Sequence, residues 1–349
     1  MNETPVVITG LGAVSSAGVG VEALMTALRE GRRCFQPAPA GTPDLPGVQW
    51  APASTFRVAE FMPPLKARKF DRCSQFAIAA AGMALTDAGI HSGELDPTRI
   101  GVILGCGFGG ISNSDEFLRG YFTGGAGGLI PMLFPNTVAN AAASNTSIEH
   151  GFRGPNVTIV QRYCSAESAL MMARRFLQEN RADIILTGGV DEITRLTLCG
   201  FRDLGQLRPG GLGNGFTEGS GILVVEREDH AVRRSARIRA RITGISTVGL
   251  LPRRKEEEGI SRLLSGYPRP ALISLSGTAP LCPELAGLYP DALRLDTGAI
   301  LGRSLAMGGI SMTAHLLSLG PGRDGLHLAA SPEGPWYAAG FQGVTTGRD

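Results

Sequence analysis

Residues 151–192, GFRGPNVTIVQRYCSAESALMMARRFLQENRADIILTGGVDE, decide how this chain folds. Asn156–Val160 is short and rich in β-branched residues, so it reads as a strand. Gln161–Ser165 is a turn. Ala166–Gln178 carries long unbranched side chains and alanines and reads as a largely buried helix. Ala182–Thr187 is a second apolar run, closed by Gly188-Gly189. Two parallel strands bracketing a helix predict a right-handed βαβ unit. A sharp turn into a helix exposes a side chain, and the helix N-terminus favours a thiolate or oxyanion there.

This stretch resembles the nucleophile region of the β-ketoacyl synthases, the decarboxylating condensing enzymes of fatty-acid and polyketide synthesis. Their pattern is strand, Thr-Ala-Cys-x-Ser-Gly, helix, Ala-Asp, strand, Gly-Gly. Without gaps, Gly154-Pro155-Asn156, Ala182-Asp183 and Gly188-Gly189 fall on family positions, Ser165 matches the motif serine and Ala166 replaces its glycine. The resemblance then places Tyr163 at the catalytic cysteine. Cys164 lies one residue later, about 100° round the helix axis, and does not simply substitute for its neighbour.

Working outward, Pro5–Gly20 reads as a strand and turn, and Ala23–Gly31 as a helix stopped by glycine. Gly10-x-Gly12-x-x-Ser15 lacks the third glycine and the distal acid of a dinucleotide fingerprint, so no cofactor is expected. Cys34–Pro64 is a Pro/Gly-rich surface excursion. Lys66–Gly89 is a packing helix whose Asp87-Ala88-Gly89 ending matches the family. Arg99–Gly110 is another strand and glycine turn. Ile130–Asn140 matches a family segment that, with the preceding one, lines the acyl pocket and dimer seam. The resemblance carries those roles to Phe108, Ser112, Glu116 and Leu133, with Met132 and Phe134 in the same apolar run. Glu116 is out of place in an apolar tunnel, since a buried unpaired carboxylate is costly. It is expected at the seam, beside a base, or in water. Gly215–Glu226 reads as a glycine turn and strand, and Ile238–Gly244 opens the second half. The expected organisation is a thiolase-type layered αβαβα fold from two pseudo-symmetric halves, 1–228 and a shortened 229–349. Residues 251–259 read as a charged loop or helix start and Ile260–Leu264 as a helical stub.

A condensing enzyme needs a thiolate, two histidines and a supporting lysine. The first histidine falls on Ser276 of Ile273-Ser274-Leu275-Ser276-Gly277-Thr278. The second falls on Arg303, and the lysine on Gly298. Arginine is no general base at neutral pH. Gly340-Phe341-Gln342-Gly343 resembles the family's Gly-Phe-Gly-Gly loop, with Phe341 as its gatekeeper. His91, His150, His230, His315 and His327 lie elsewhere and read as structural or surface residues. No catalytic residue is therefore assigned, and Cys164 is the fallback nucleophile.

The balance of the chain excludes other classes. Its 349 residues carry 43% hydrophobic and 18% charged residues and a net charge of +2, which fits a globular protein without a nucleic-acid partner. No apolar run suggests a membrane span, and no leader pattern is seen, so a cytoplasmic protein is expected. Cys34, Cys73, Cys106, Cys164, Cys199 and Cys282 form no C-x-x-C pair, so no metal is expected. The resemblance implies a chain length factor: a non-catalytic ketosynthase-like subunit in a heterodimer with an active ketosynthase. It would shape the tunnel for a chain carried on the phosphopantetheine of an acyl carrier protein in type II polyketide synthesis. The short second half points to a divergent branch, such as one serving polyene chains. The alternatives are an acyltransferase, thioesterase or unusual condensing enzyme using Cys164, and a homodimeric acyl-binding scaffold.

Overall fold

The computed structural model describes residues 4–37, 48–91, 93–206, 215–249, 255–267, 269–277, 287–331 and 334–344. Thr278, Cys282 and the start of the charged stretch, 251–254, lie outside the described residues. Among the described residues, eleven strands share one sheet: β1 Val6–Ser15, β2 Gly18–Val19, β3 Ile100–Cys106, β4 Asn156–Ile159, β5 Ile184–Asp191, β6 Gly219–Arg227, β7 Ala240–Val248, β8 Leu272–Gly277, β9 Leu293–Asp296, β10 Asp324–Ala330 and β11 Trp336–Gly343. Their order is β9-β8-β10-β11-β7-β1-β6-β5-β3-β4, with β2 folded back on β1.

That order is one pattern written twice. Leaving out β2 and counting strands from one within each half, both halves run 3-2-4-5-1 from their outer edge. Strand directions repeat too: the pairs nearest the middle are antiparallel and the outer ones parallel. The halves meet where β1 pairs antiparallel with β7 at Val7↔Arg241 and Ile8↔Ala240.

The main helices are α1 Val21–Glu30, α2 Arg72–Asp87, α3 Ile111–Gly124, α4 Ala141–His150, α5 Ser165–Gln178, α6 Arg195–Asp203, α7 Glu256–Leu264, α8 Thr297–Leu301 and α9 Gly308–Ser318. Helices α5 and α9 form the middle layer. Ala169, Leu170 and Leu177 of α5 and Met312 and Leu316 of α9 pack at once with Ile103 and Ile185 of the first half and Ile242 and Phe341 of the second. Outside them, α2 and α4 cover the first half, and Ile260, Leu263 and Leu264 of α7 cover the second against Ile273, Leu326 and Leu328. The result is the layered αβαβα fold expected.

Local sequence explains these contacts. Strand β1 is buried at all ten positions, so it reads as an unbroken apolar run rather than an alternating one. A register shift between Ile8 and Gly10 turns its second half over. Val6, Ile8 and Leu11 therefore face the middle layer, whereas Gly10, Gly12 and Val14 face α2. A Cβ on Gly12 would run into the Ala80 carbonyl, so glycine in the strand and alanine in α2 together allow close contact.

Several boundaries differ from expectation. The packing helix begins at Arg72, because the Asp71 side chain accepts from Ser74 N and caps it; Pro64–Ala67 is a separate short turn. Gly188-Gly189 does not end a strand. It lies inside β5, where any Cβ would strike the Gly221 or Ala306 carbonyls. Strands β4 and β5 are not neighbours, because β3 lies between them. Phe341 belongs to no loop. It sits within β11, fully buried in the middle core, because Gly340 and Phe341 pair with β7 and β10.

Gly12→Ala should lower stability by about 2 kcal/mol or more, since the added carbon meets backbone rather than a movable side chain. Urea unfolding should show a lower midpoint at unchanged slope.

Candidate functional site: the elbow before helix α5

The turn between β4 and α5 is tight. Arg162 has φ 52, uncommon for a residue with a side chain, at a cost of about 1–3 kcal/mol. Ser165 clasps it: its Oγ donates to Arg162 O at 2.7 Å and accepts from Gln161 N at 2.9 Å. The next two side chains leave the turn in different directions. Tyr163 packs with Val48, Ile193, Leu198, Phe201, Phe216 and Leu305, and its hydroxyl donates to Gln206 Oε1 at 3.2 Å. Cys164 packs with Ala329 and Tyr337 and donates to Pro335 O at 3.2 Å.

Cys164 is fully buried. Burial, with the nearby Glu167 carboxylate, pushes its thiol far up, so it stays protonated at neutral pH. It has neither the thiolate nor the access a nucleophile needs.

Ser276, at the end of β8, donates to Glu167 Oε1 at 2.6 Å. The same oxygen lies 2.9 Å from His327 Nε2, and His327 Nδ1 lies 2.7 Å from Ser274 Oγ. Glu167 comes from α5 and the other three from strands of the second half, so this buried chain of bonds ties the elbow helix across the middle. A Cβ at Gly308 would enter the Glu167 carboxylate. His315 is also buried; desolvation and then His327 push its pKa down to about 3, so it is neutral.

Arg303 donates to Gly277 O at 2.9 Å and, through Nη2, to both Asp296 oxygens at 3.0 and 2.9 Å. Its backbone is held by Gly215 and Thr217, part of a small sheet with Gln36–Pro37 and Gln49–Ala51. Gly298 is part of the same arrangement. A Cβ there would lie 2.6 Å from the Arg303 Cζ, so the glycine leaves room for the guanidinium.

Between Phe108, Asp191, Phe201, Phe216 and Leu305 remains a cavity of about 20 Å³. That is room for about one water, not for an acyl chain. Asp191 accepts from Gly107 N at 2.8 Å and Ala306 N at 2.5 Å, and burial raises its carboxyl to about 6. Glu192 accepts from Ser112 N at 2.6 Å and Ser112 Oγ at 2.8 Å, and burial raises it to about 7. No cluster that could hold a metal occurs among the described residues.

The sequence pattern of "Beta-ketoacyl synthase, N-terminal domain" matches residues 3–231. The chain belongs to the β-ketoacyl synthase family. It is 30% identical over 272 residues to 3-oxoacyl-[acyl-carrier-protein] synthase 2 of Vibrio harveyi, covering 71% of this chain and 64% of that protein. It is 32% identical over 269 residues to the Rhizobium meliloti protein of the same name, covering 70% and 64%. The aligned region thus spans a little under two thirds of these relatives. Among solved structures, the ishigamide ketosynthase/chain length factor superposes with a TM-score of 0.84 at 24% identity, over 98% of this chain and 100% of that one. A β-ketoacyl synthase from Burkholderia phymatum superposes at 0.82 and 18% identity, over 98% and 100%. These likenesses fix the fold.

Within this ketosynthase fold, Tyr163, Ser276, Gly298 and Arg303 stand around one region, and each is engaged in packing or in bonds to its neighbours. The remaining expected positions divide. Phe108 is at the cavity lip, its ring 6.2 Å from Phe201 and 5.9 Å from the Arg162 guanidinium. Ser112 is bound to Glu192, and Glu116 faces solvent on α3. Met132 and Phe134 are 63% and 60% exposed and Leu133 is half-buried. Phe341 is core and cannot act as a gatekeeper here. Sequence reading passed over Glu167, Asp191, Glu192 and Asp296. A glutamate on the buried face of α5 and an acidic pair closing an apolar strand were the available signals.

In the native protein at pH 8, iodoacetamide should leave Cys164 unmodified and label it on unfolding; rapid native labelling would contradict the burial described. Gly298→Ala should cost about 1–3 kcal/mol by displacing Arg303 from Asp296. Arg303→Ala in the same chain should remove most of the added penalty, measured by a double-mutant cycle.

Proposed function

We propose that this chain is a non-catalytic chain length factor-like subunit that pairs with an active β-ketoacyl synthase and shapes its acyl tunnel. The observation that carries the reading is the buried Tyr163 phenol at the elbow position where the family holds its thiol. Condensation needs a thiolate to hold the acyl chain and imidazoles to support decarboxylation and the enolate. By the sequence resemblance, a phenol, a hydroxyl tied to Glu167 and an arginine tied to Asp296 fall at those positions. None is a nucleophile or a general base as placed. The alternative in which Cys164 attacks finds no support in its burial and its raised pKa.

The partner is read from the surface. The segment 108–138 exposes Leu118, Tyr121, Phe122, Ile130, Met132 and Phe134, and α3 has no buried residue. Exposed apolar side chains in such number favour an interface. β4 is the edge strand of the first half, with one side unpaired among the described residues, and Val160 just after it and Ile148 of α4 are also exposed. A chain of the same fold is the natural complement, since like folds pair about a pseudo-two-fold axis. One neighbouring structure is a type II acyl-carrier protein in complex with its ketosynthase bound to the hexaketide, superposing at a TM-score of 0.83 and 19% identity. By that analogy the chain's partners are a ketosynthase and, through it, a carrier protein bearing the growing chain in type II polyketide synthesis, with a polyene as one candidate product. With room for only about one water beside Phe108, this subunit acts through Phe108 and Leu133 at the seam. We take 1–228 and 229–349 as its two halves and the cytoplasm as its location.

Co-expression with a type II ketosynthase from the same genome should give a one-to-one complex on gel filtration. In that complex Phe108→Ala should lengthen the products and Leu133→Trp shorten them, read by mass spectrometry, while Cys164→Ala leaves most product formation intact. An acyl adduct on Cys164, or unchanged product lengths from an intact complex, would overturn the proposal.

A further inference from the structure

A cavity of about 460 Å³ lies between the last turns of α2 and α4 and the chain from Ile90 to Ile100. Its volume falls within the usual range of small-molecule pockets. Leu85, Ile90 and Ile100 are buried members of the first half's outer core, and Leu95 and Phe152 pack against them, so much of the wall is apolar. Ile100 begins β3, whereas the elbow helix meets that strand near its other end, at Gly105. The cavity and the elbow are therefore separate places.

His150 is the distinctive polar group of the wall. Its Nε2 lies 3.3 Å from Ile78 O, and a carbonyl only accepts, so this nitrogen carries a proton. One face of the ring is stacked on Phe152, with centroids 5.7 Å apart. Nδ1 is then a lone-pair acceptor in the neutral ring, and among the described residues it meets no donor. Burial lowers the imidazole pKa, which keeps the ring neutral at pH 7.5. The Thr86 hydroxyl donates to Gly82 O at 3.0 Å, so it too has only acceptance left to offer. Charge is already answered. Glu149 is paired with Lys66 at 2.7 Å, the lining holds no lysine or arginine, and its other histidine, His91, is exposed.

Gly82 opens the space beside the imidazole. It lies inside α2, where glycine is disfavoured relative to alanine. Close packing does not require it, in contrast to Gly12: a Cβ at Gly82 would meet only His150 Cε1, at an ordinary 3.6 Å. What the glycine leaves is room on the α2 side of the cavity.

We propose that this cavity is a binding site for a small neutral aromatic molecule of the indole or phenol class, held by its N–H or O–H on His150 Nδ1. The apolar wall takes the ring, the His150–Phe152 pair gives it an aromatic neighbour, and the unmet acceptor selects for a donor. An anion would find no lysine or arginine in the lining, and a cation would have to displace Lys66 from Glu149. The inference goes beyond the partner-subunit reading and does not depend on it.

Indole and 1-methylindole are the probes, titrated into the full chain at pH 7.5 and followed by ligand-observed NMR. Indole should saturate, and should bind roughly five- to tenfold more tightly than 1-methylindole, which keeps the ring and lacks the donor. His150→Phe keeps an aromatic ring beside Phe152 without the acceptor and should bring the two probes level. Gly82→Leu places a side chain in the cavity from α2 and should abolish indole binding. Thermal unfolding of each variant shows whether it is folded; if Gly82→Leu is not, the two probes on His150→Phe decide. Indole that does not saturate, probes that bind equally to the unmodified chain, a preference for indole that survives His150→Phe, or undiminished binding to a folded Gly82→Leu chain overturns the site.

Discussion

Close approach of helix ends to strand backbones is the constraint on which the rest of this structure depends. At Gly105 the start of α5 lies directly on β3, and at Gly221 the start of α9 lies directly on β6; a side chain at either glycine would occupy the helix backbone. Two helices can fit between two sheet halves only because these crossings are bare. They also set where the elbow stands, since Ser165 and Ala166 are the α5 residues that meet Gly105. The position of Tyr163 follows from packing deep in the protein, not from the loop that carries it.

With that geometry kept, the groups at the centre are bound to one another. Tyr163 is held by apolar neighbours and Gln206, Ser276 by Glu167, and Arg303 by Asp296 and Gly277. Buried polar groups bound in this way favour one arrangement strongly, because breaking any one leaves its partner stranded.

The chain was legible where local pattern decides structure. β-branched and apolar runs marked β1, β3 and β4, and the ungapped match at Gly154-Pro155-Asn156 marked the elbow. It was illegible where distant residues decide. Glu167 and His327 are 160 positions apart, and nothing near either one announces the other. Phe341 misled for the opposite reason. Its four-residue neighbourhood looks like a loop motif, but strand pairing on both sides draws it into the core. The acids Asp191 and Glu192 close an apolar strand, a place where a short local reading expects only a turn.

The fit between Gly298 and Arg303 has a consequence for what either position can carry. A lysine at 298 would run into the guanidinium, and a histidine at 303 would take this cation from Asp296. The two positions are therefore coupled: the side chain that one carries limits what the other can hold.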